Sequence, residues 1–189
     1  MSMFLDVTGI QGESQSLKPS GAVGVANWNK KIDQQSMGYD VSQKTSLEAG
    51  SGLVSGGAIF GPMQITKVMD RSTPHLWSKL CKGEPIPTVT IRISRPGAAA
   101  MTSGTAAGGL FEAESYILQN VIVTSYHTSG APGPGGLPME SWSLAFTAIT
   151  ENYRTVDPTG KISPVQSNGW DINGNQPPNP APPPMGTPS

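Results

Sequence analysis

Two histidines and one cysteine are the whole supply of imidazole bases and thiolate ligands in this chain. His75 and Cys81 fall in one predicted helix and His127 at the end of a predicted strand. No CxxC or HxxxH spacing is present, so no set of ligands converges on one tetrahedral position. Cys81, on the apolar side of its helix, reads as core rather than as nucleophile. Asp70, just before that helix, reads as a turn residue whose charge suits the helix dipole rather than as a catalytic acid. Glu112 and Glu114 share one face of an extended segment and read as a solvated pair. There is no Gly-x-Ser-x-Gly elbow, no His-Glu-x-x-His and no Gly-Lys-Ser/Thr ending to a phosphate loop. The expectation is no catalytic residue, no cofactor and no metal, and therefore no enzyme.

The composition points the same way. The chain has 189 residues, enough for one sizeable core, with 36% hydrophobic residues. Lys and Arg number 12 against 13 Asp and Glu, and charged residues are only 13%, about half the usual ~25%. The basic residues are scattered, which argues against nucleic-acid binding, because phosphate neutralisation needs them clustered. Gly 23 and Pro 18 break up long helices and exclude a helical bundle. A polar but uncharged surface loses little on burial, which favours association with other copies. No apolar run approaches the ~20 residues of a membrane span, so no membrane insertion is expected. The opening Met1-Ser2-Met3-Phe4-Leu5-Asp6 lacks the basic and apolar regions of a signal peptide.

Short strands must position whatever function there is. Residues 4–10 read as a strand ending in a Gly turn, and residues 22–32 as a second extended segment. Residues 34–57 are polar and rich in Gly and Ser. They read as a long loop serving as a subunit arm, with Leu47, Leu53 and Val54 as contact candidates. Residues 59–69 read as one strand. Thr73 at the N-cap, Pro74 at N1 and Gly83 at C′ frame the one clear helix, with Leu76, Leu80, Trp77 and Cys81 along an apolar stripe. Val89, Ile91 and Ile93 alternate with Thr90, Arg92 and Ser94, giving a half-buried strand with one wet or partner-facing side. Residues 98–109 read as a loop. Residues 115–126 and 141–153 read as two long strands of an antiparallel hairpin. The domain boundary falls at 1–162. Residues 163–189, with eight prolines from Pro164 onward and Asp171 as the sole charge, read as an extension that is disordered or docked on a neighbour, anchored by Trp170 and Ile172.

Three stretches carry a family resemblance. The first is Phe4-Leu5-Asp6-Val7-Thr8-Gly9-Ile10-Gln11-Gly12-Glu13-Ser14. The second runs from Lys67 through Asp70-Arg71-Ser72-Thr73-Pro74-His75-Leu76-Trp77 to Cys81-Lys82-Gly83, followed by Ile86-Pro87-Thr88-Val89-Thr90-Ile91. The third is Gly136-Leu137-Pro138-Met139-Glu140-Ser141-Trp142-Ser143-Leu144 through Ile149 and Tyr153. In order and spacing the chain resembles the haemolysin-coregulated protein (Hcp) family, which builds the inner tube of type VI secretion systems. The resemblance implies a mainly β fold, two antiparallel sheets forming a β-barrel-like domain with one short α-helix at the side. It further implies a homohexameric ring that stacks into a tube and carries small effectors in its lumen. The sheath, baseplate and spike of the secretion apparatus would be its partners. Such a protein is cytoplasmic before firing and then secreted without a signal peptide. Two other readings remain open at this point: a tail-tube protein of a phage or extracellular contractile particle, and a monomeric β-barrel ligand-binding module.

Overall fold

The computed structural model describes residues 1–15, 29–48, 52–96, 110–132, 136–155 and 163–178. Its elements, in chain order, are β1 (Ser2–Val7), β2 (Ile32–Gly38), β3 (Val41–Glu48), β4 (Gly52–Phe60), β5 (Met63–Val68), α1 (Thr73–Lys82), β6 (Ile86–Pro96), β7 (Leu110–Pro132), β8 (Pro138–Ala145), β9 (Ala148–Tyr153) and β10 (Gln166–Asp171). Two antiparallel sheets result. The larger runs β10-β9-β7-β6-β1-β2-β5-β8, and β8 pairs again with β7, so six of its strands close into a barrel. The smaller sheet is the hairpin β3–β4.

Closure depends on β7, which is 23 residues long. Its first half pairs with β6 on one edge and with β9 on the other, and its second half pairs with β8. The strand expected over residues 141–153 is therefore two strands. Between them, the Thr147 backbone N–H donates to Gln119 O at 3.1 Å, and Asn120 next to that acceptor has φ 51°. The bend in β7 sends β8 round the barrel and lets β9 continue off it. The strand expected over residues 59–69 is also interrupted, at Gly61-Pro62, where the arm ends and the barrel resumes.

Period-two alternation fills the barrel, as a half-buried strand requires. Leu5 and Val7, Met63 and Ile65, Val89, Ile91 and Ile93, Leu118, and Trp142 with Leu144 all point inward and are buried. The outer side of β6 is not the wet face that its polar residues suggest. Thr90 and Ser94 are buried as well, and Arg92 is only partly exposed.

The helix is shifted by one residue from its expected start. Ser72 is the N-cap, without a side-chain capping bond, and Thr73 is the first helical residue. Thr73 does not cap because its hydroxyl is engaged below the helix, as described in the next section. Gly83 ends the helix at φ 62°, the left-handed conformation that glycine adopts without a Cβ penalty. The apolar stripe is narrower than expected: Leu76 is buried and Leu80 half-buried, but Trp77 is 53% exposed and Cys81 is exposed. Cys81 is thus not a core residue.

Residues 34–57 are not a structureless loop, because β2, β3 and β4 occupy most of them. The strand segment expected over 22–28 and the loop over 98–109 lie outside the described residues. The chain also adds β10 beyond residue 162, hydrogen-bonded along the outer edge of β9.

Candidate functional site

The arm β3–β4 is rich in serine and glycine with a few apolar residues, and among the described residues its strands pair only with each other. Leu47 sits directly opposite Leu53 near the tip, and the two are 82% and 72% exposed. Val54 pairs with Ser46 on the other face, and Val41 and Ile59 are exposed nearer the base. A two-stranded hairpin gains little stability by itself, and these leucines leave an apolar patch at the tip of the arm.

At its base the arm faces β9 and β10 across an open groove of about 730 Å³. Tyr39, Phe60, Ile149 and Trp170 supply apolar walls, and Glu151 brings a carboxylate. Tyr39 packs edge-on to Tyr116 at 5.7 Å, and Phe60 to Phe146 at 6.4 Å, fixing the wall to the barrel end. The turn after β10 is closed by paired Asp171–Gln176 backbone bonds of 2.8 and 3.2 Å, and it carries Asn175 to Gly57 of the arm. Trp170 packs against the barrel core, its indole Nε1 buried without an acceptor among the described residues, and the Ile172 N–H donates to Thr147 O at 2.9 Å.

A second feature, missed in the sequence, lies inside the barrel below α1. Lys67 on β5 and Glu140 on β8 are register partners, and both side chains point inward with no exposure. Lys67 Nζ lies 2.8 Å from Glu140 Oε2 and 2.8 Å from Asp70 Oδ1, and it donates to Thr73 Oγ1 at 3.0 Å. Thr73 Oγ1 donates in turn to Glu140 Oε2 at 2.9 Å, while Trp142 Nε1 and Tyr126 Oη donate to the two carboxylate oxygens. Asp70 Oδ1 also accepts from the Ser72 backbone N–H at 3.0 Å, so it is a turn residue as expected and a counter-charge besides. Every partner is internal. The cluster fastens the helix to the barrel, with Asp70 and Tyr126 at its partly exposed edge.

Glu112 and Glu114 are neither paired nor solvated in the expected way. A register shift in the β6–β7 ladder places Glu114 opposite Ile93 but Glu112 opposite Ser94. Glu112 is buried and receives two bonds from Arg92 Nη1, at 2.8 and 3.0 Å. Burial raises its pKa above the usual carboxylate range, and the Arg92 charge only partly offsets that. Glu114 accepts from the Tyr116 hydroxyl, which also lies 3.4 Å from Glu151. Burial foremost, then these carboxylates, push the Tyr116 phenol upward. His75 and His127 are exposed, and among the described residues no three His, Cys, Asp or Glu side chains are placed to hold a metal. Among those residues no helix is long and apolar enough to cross a membrane.

A closed six-stranded barrel with one helix pinned at its side and a hairpin arm is the architecture on which the comparisons bear. The model of the family described as "Type VI secretion system effector, Hcp" matches residues 4–153, most of the chain. The chain belongs to the Hcp family. Solved structures agree. One titled as a type six secretion system protein is 25% identical, covers 93% of this chain and 98% of its own, and superposes with a TM-score of 0.74. Hcp1 from Salmonella typhimurium is 20% identical with coverages of 93% and 97% and a TM-score of 0.67. A type VI secretion system effector from Yersinia pestis is 22% identical with coverages of 90% and 99% and a TM-score of 0.62. The last two likenesses carry the fold alone. No curated protein matches the chain. Membership in the Hcp family accounts for the barrel and makes this a protein of type VI secretion.

Proposed function

We propose that this Hcp-family chain is the subunit of a secreted tube, with six copies closing into a ring and rings stacking end to end. The observation that carries the reading is the family match over residues 4–153 on a closed barrel whose arm stands off with Leu47 and Leu53 uncovered. Ring closure needs a heterologous contact, one patch meeting a different patch on the next copy, and a projecting arm is such a patch. Leu47, Leu53 and Val54 are assigned to the neighbouring subunit. Trp170 and Ile172 serve the chain itself and hold β10 at the arm's base.

A tube of this kind is assembled inside the cell and expelled as an object, so no signal peptide is required for export. Its lumen carries small effectors, and its outer surface meets the sheath, with baseplate and spike at its ends. Low charge supports the reading, because neutral polar surfaces desolvate cheaply when subunits pack. Negative-stain electron microscopy of the purified full chain tests it. Six-fold rings are expected, and a field of single barrels at every concentration would refute it.

A further inference from the structure

The groove between the arm and β9–β10 joins an apolar wall to an acidic group. Its walls are aromatic and aliphatic at Tyr39, Phe60, Ile149 and Trp170, and among the described residues the only charged side chain lining it is Glu151. Behind Glu151 stands Glu114: the Tyr116 hydroxyl donates to Glu114 and lies 3.4 Å from Glu151, which the Tyr39 hydroxyl also engages. Among the described residues neither carboxylate has a cation within salt-bridge distance, whereas Glu112 and Glu140 each do. Two like charges over two tyrosine hydroxyls, against a low-dielectric aromatic wall and with no cation at salt-bridge distance among the described residues, make a region of negative potential. Burial, and after it the Glu151 and Glu114 charges, raise the Tyr39 phenol, which registers the same potential on the groove's wall.

We propose that this groove binds an extended basic segment of another protein, with a Lys or Arg side chain laid across Tyr39 and Trp170 and its charge delivered to Glu151 and Glu114. A cation flanked by aromatic faces gains quadrupole attraction in addition to the ion pair, and its aliphatic stem covers Phe60 and Ile149. The volume suits a few residues of extended chain. Charge complementarity also excludes the most obvious occupant from within the assembly. The arm of a second copy, residues 41–60, holds one cation, Lys44, and one anion, Glu48, and so brings no net positive charge to Glu151.

The test is selection of a displayed library of random decapeptides on the full-length assembled protein. Recovered sequences should be enriched in Lys and Arg beside apolar residues. A synthetic copy of the most enriched peptide should bind at least tenfold more weakly to Glu151→Gln, and more weakly still as salt is raised. Glu151 is exposed, so this variant retains the fold, and its mass by light scattering should equal the parent's. Peptides no richer in Lys and Arg than the input, neutral proline-rich peptides, or equal binding to parent and variant would each overturn the proposal. So would loss of assembly in Glu151→Gln, which would show that another copy fills the groove. A parent that fails to form rings yet binds basic peptides through Glu151 would leave this site standing and remove the tube reading instead.

Discussion

Lys67 and Glu140 face each other across the β5–β8 ladder, their charged atoms 2.8 Å apart in a part of the barrel that water does not reach. Burying such a pair costs several kcal/mol per ion, and that cost is offset only when every remaining polar site is satisfied. Here Asp70, Thr73, Trp142 and Tyr126 satisfy them. The pair thus links three elements, β5, β8 and the start of α1, and explains why Thr73 is drawn away from the capping role.

Removing one partner leaves an uncompensated buried charge. Lys67→Met is expected to lower stability by about 3–5 kcal/mol. Adding Glu140→Gln removes the stranded charge while keeping an acceptor for Trp142, and should restore part of the loss. Urea unfolding at fixed protomer concentration checks this, and a double variant no better than the single would contradict the pairing.

The helix side chains should separate by burial. Leu76→Ala, at a fully buried site, is expected to cost about 2–5 kcal/mol by cavity formation. Leu80→Ala should cost less because Leu80 is only half-buried, and His75→Ala, at an exposed site, should be nearly silent in stability and in secretion. Thermal unfolding of the three variants gives the order.

Glu112 makes stability pH-dependent with a definite sign. Its folded-state pKa lies above that of the unfolded chain, so the folded state binds more protons across the interval between the two. Its contribution to stability is complete below the unfolded value and is lost as pH rises through the folded one. Glu112→Gln cannot titrate and should lack that decline. Unfolding free energies of parent and variant, measured from acid to neutral pH, should diverge in the variant's favour as pH rises. Parallel curves would show that the Arg92 charge fully offsets the burial.

Gly12 lies where the first turn crosses the start of β2. Its N–H donates to Lys30 O at 2.8 Å, and a Cβ built there would sit 2.7 Å from Ile32 Cα. The neighbour is backbone and cannot swing aside. Gly12→Ala should destabilise by about 1–3 kcal/mol through forced separation of the two segments. Calorimetry would show this as a lowered melting temperature.

Alternation made the barrel strands readable, because Val89, Ile91 and Ile93 or Trp142 and Leu144 can face only one way in a half-buried sheet. Three kinds of feature escaped that signal. Strand breaks at Gly61 and Phe146 fall inside continuous alternation and are set by which partner strand is available, a tertiary matter. The arm carries serine and glycine with leucine only near its tip, so its strands lack an apolar face to betray them. The buried ion pair sits in phase with the core, Lys67 two residues after Ile65 and Glu140 two before Trp142. Extending each alternation by one step would have placed both charges inside. Glu112 parts company with Glu114 at a register shift that no local pattern encodes. β10 has no large apolar side chain other than Trp170, and its pairing with β9 comes from the free edge that β9 offers.

The assembled mass of the full chain tests the central claim most directly. Multi-angle light scattering at micromolar concentration should return about six times the 19.7 kDa protomer. Leu47→Ser combined with Leu53→Ser should shift the population toward protomers while the barrel's circular dichroism stays unchanged. A parent that remains a 19.7 kDa particle across a broad concentration range would contradict the ring, and with it the tube.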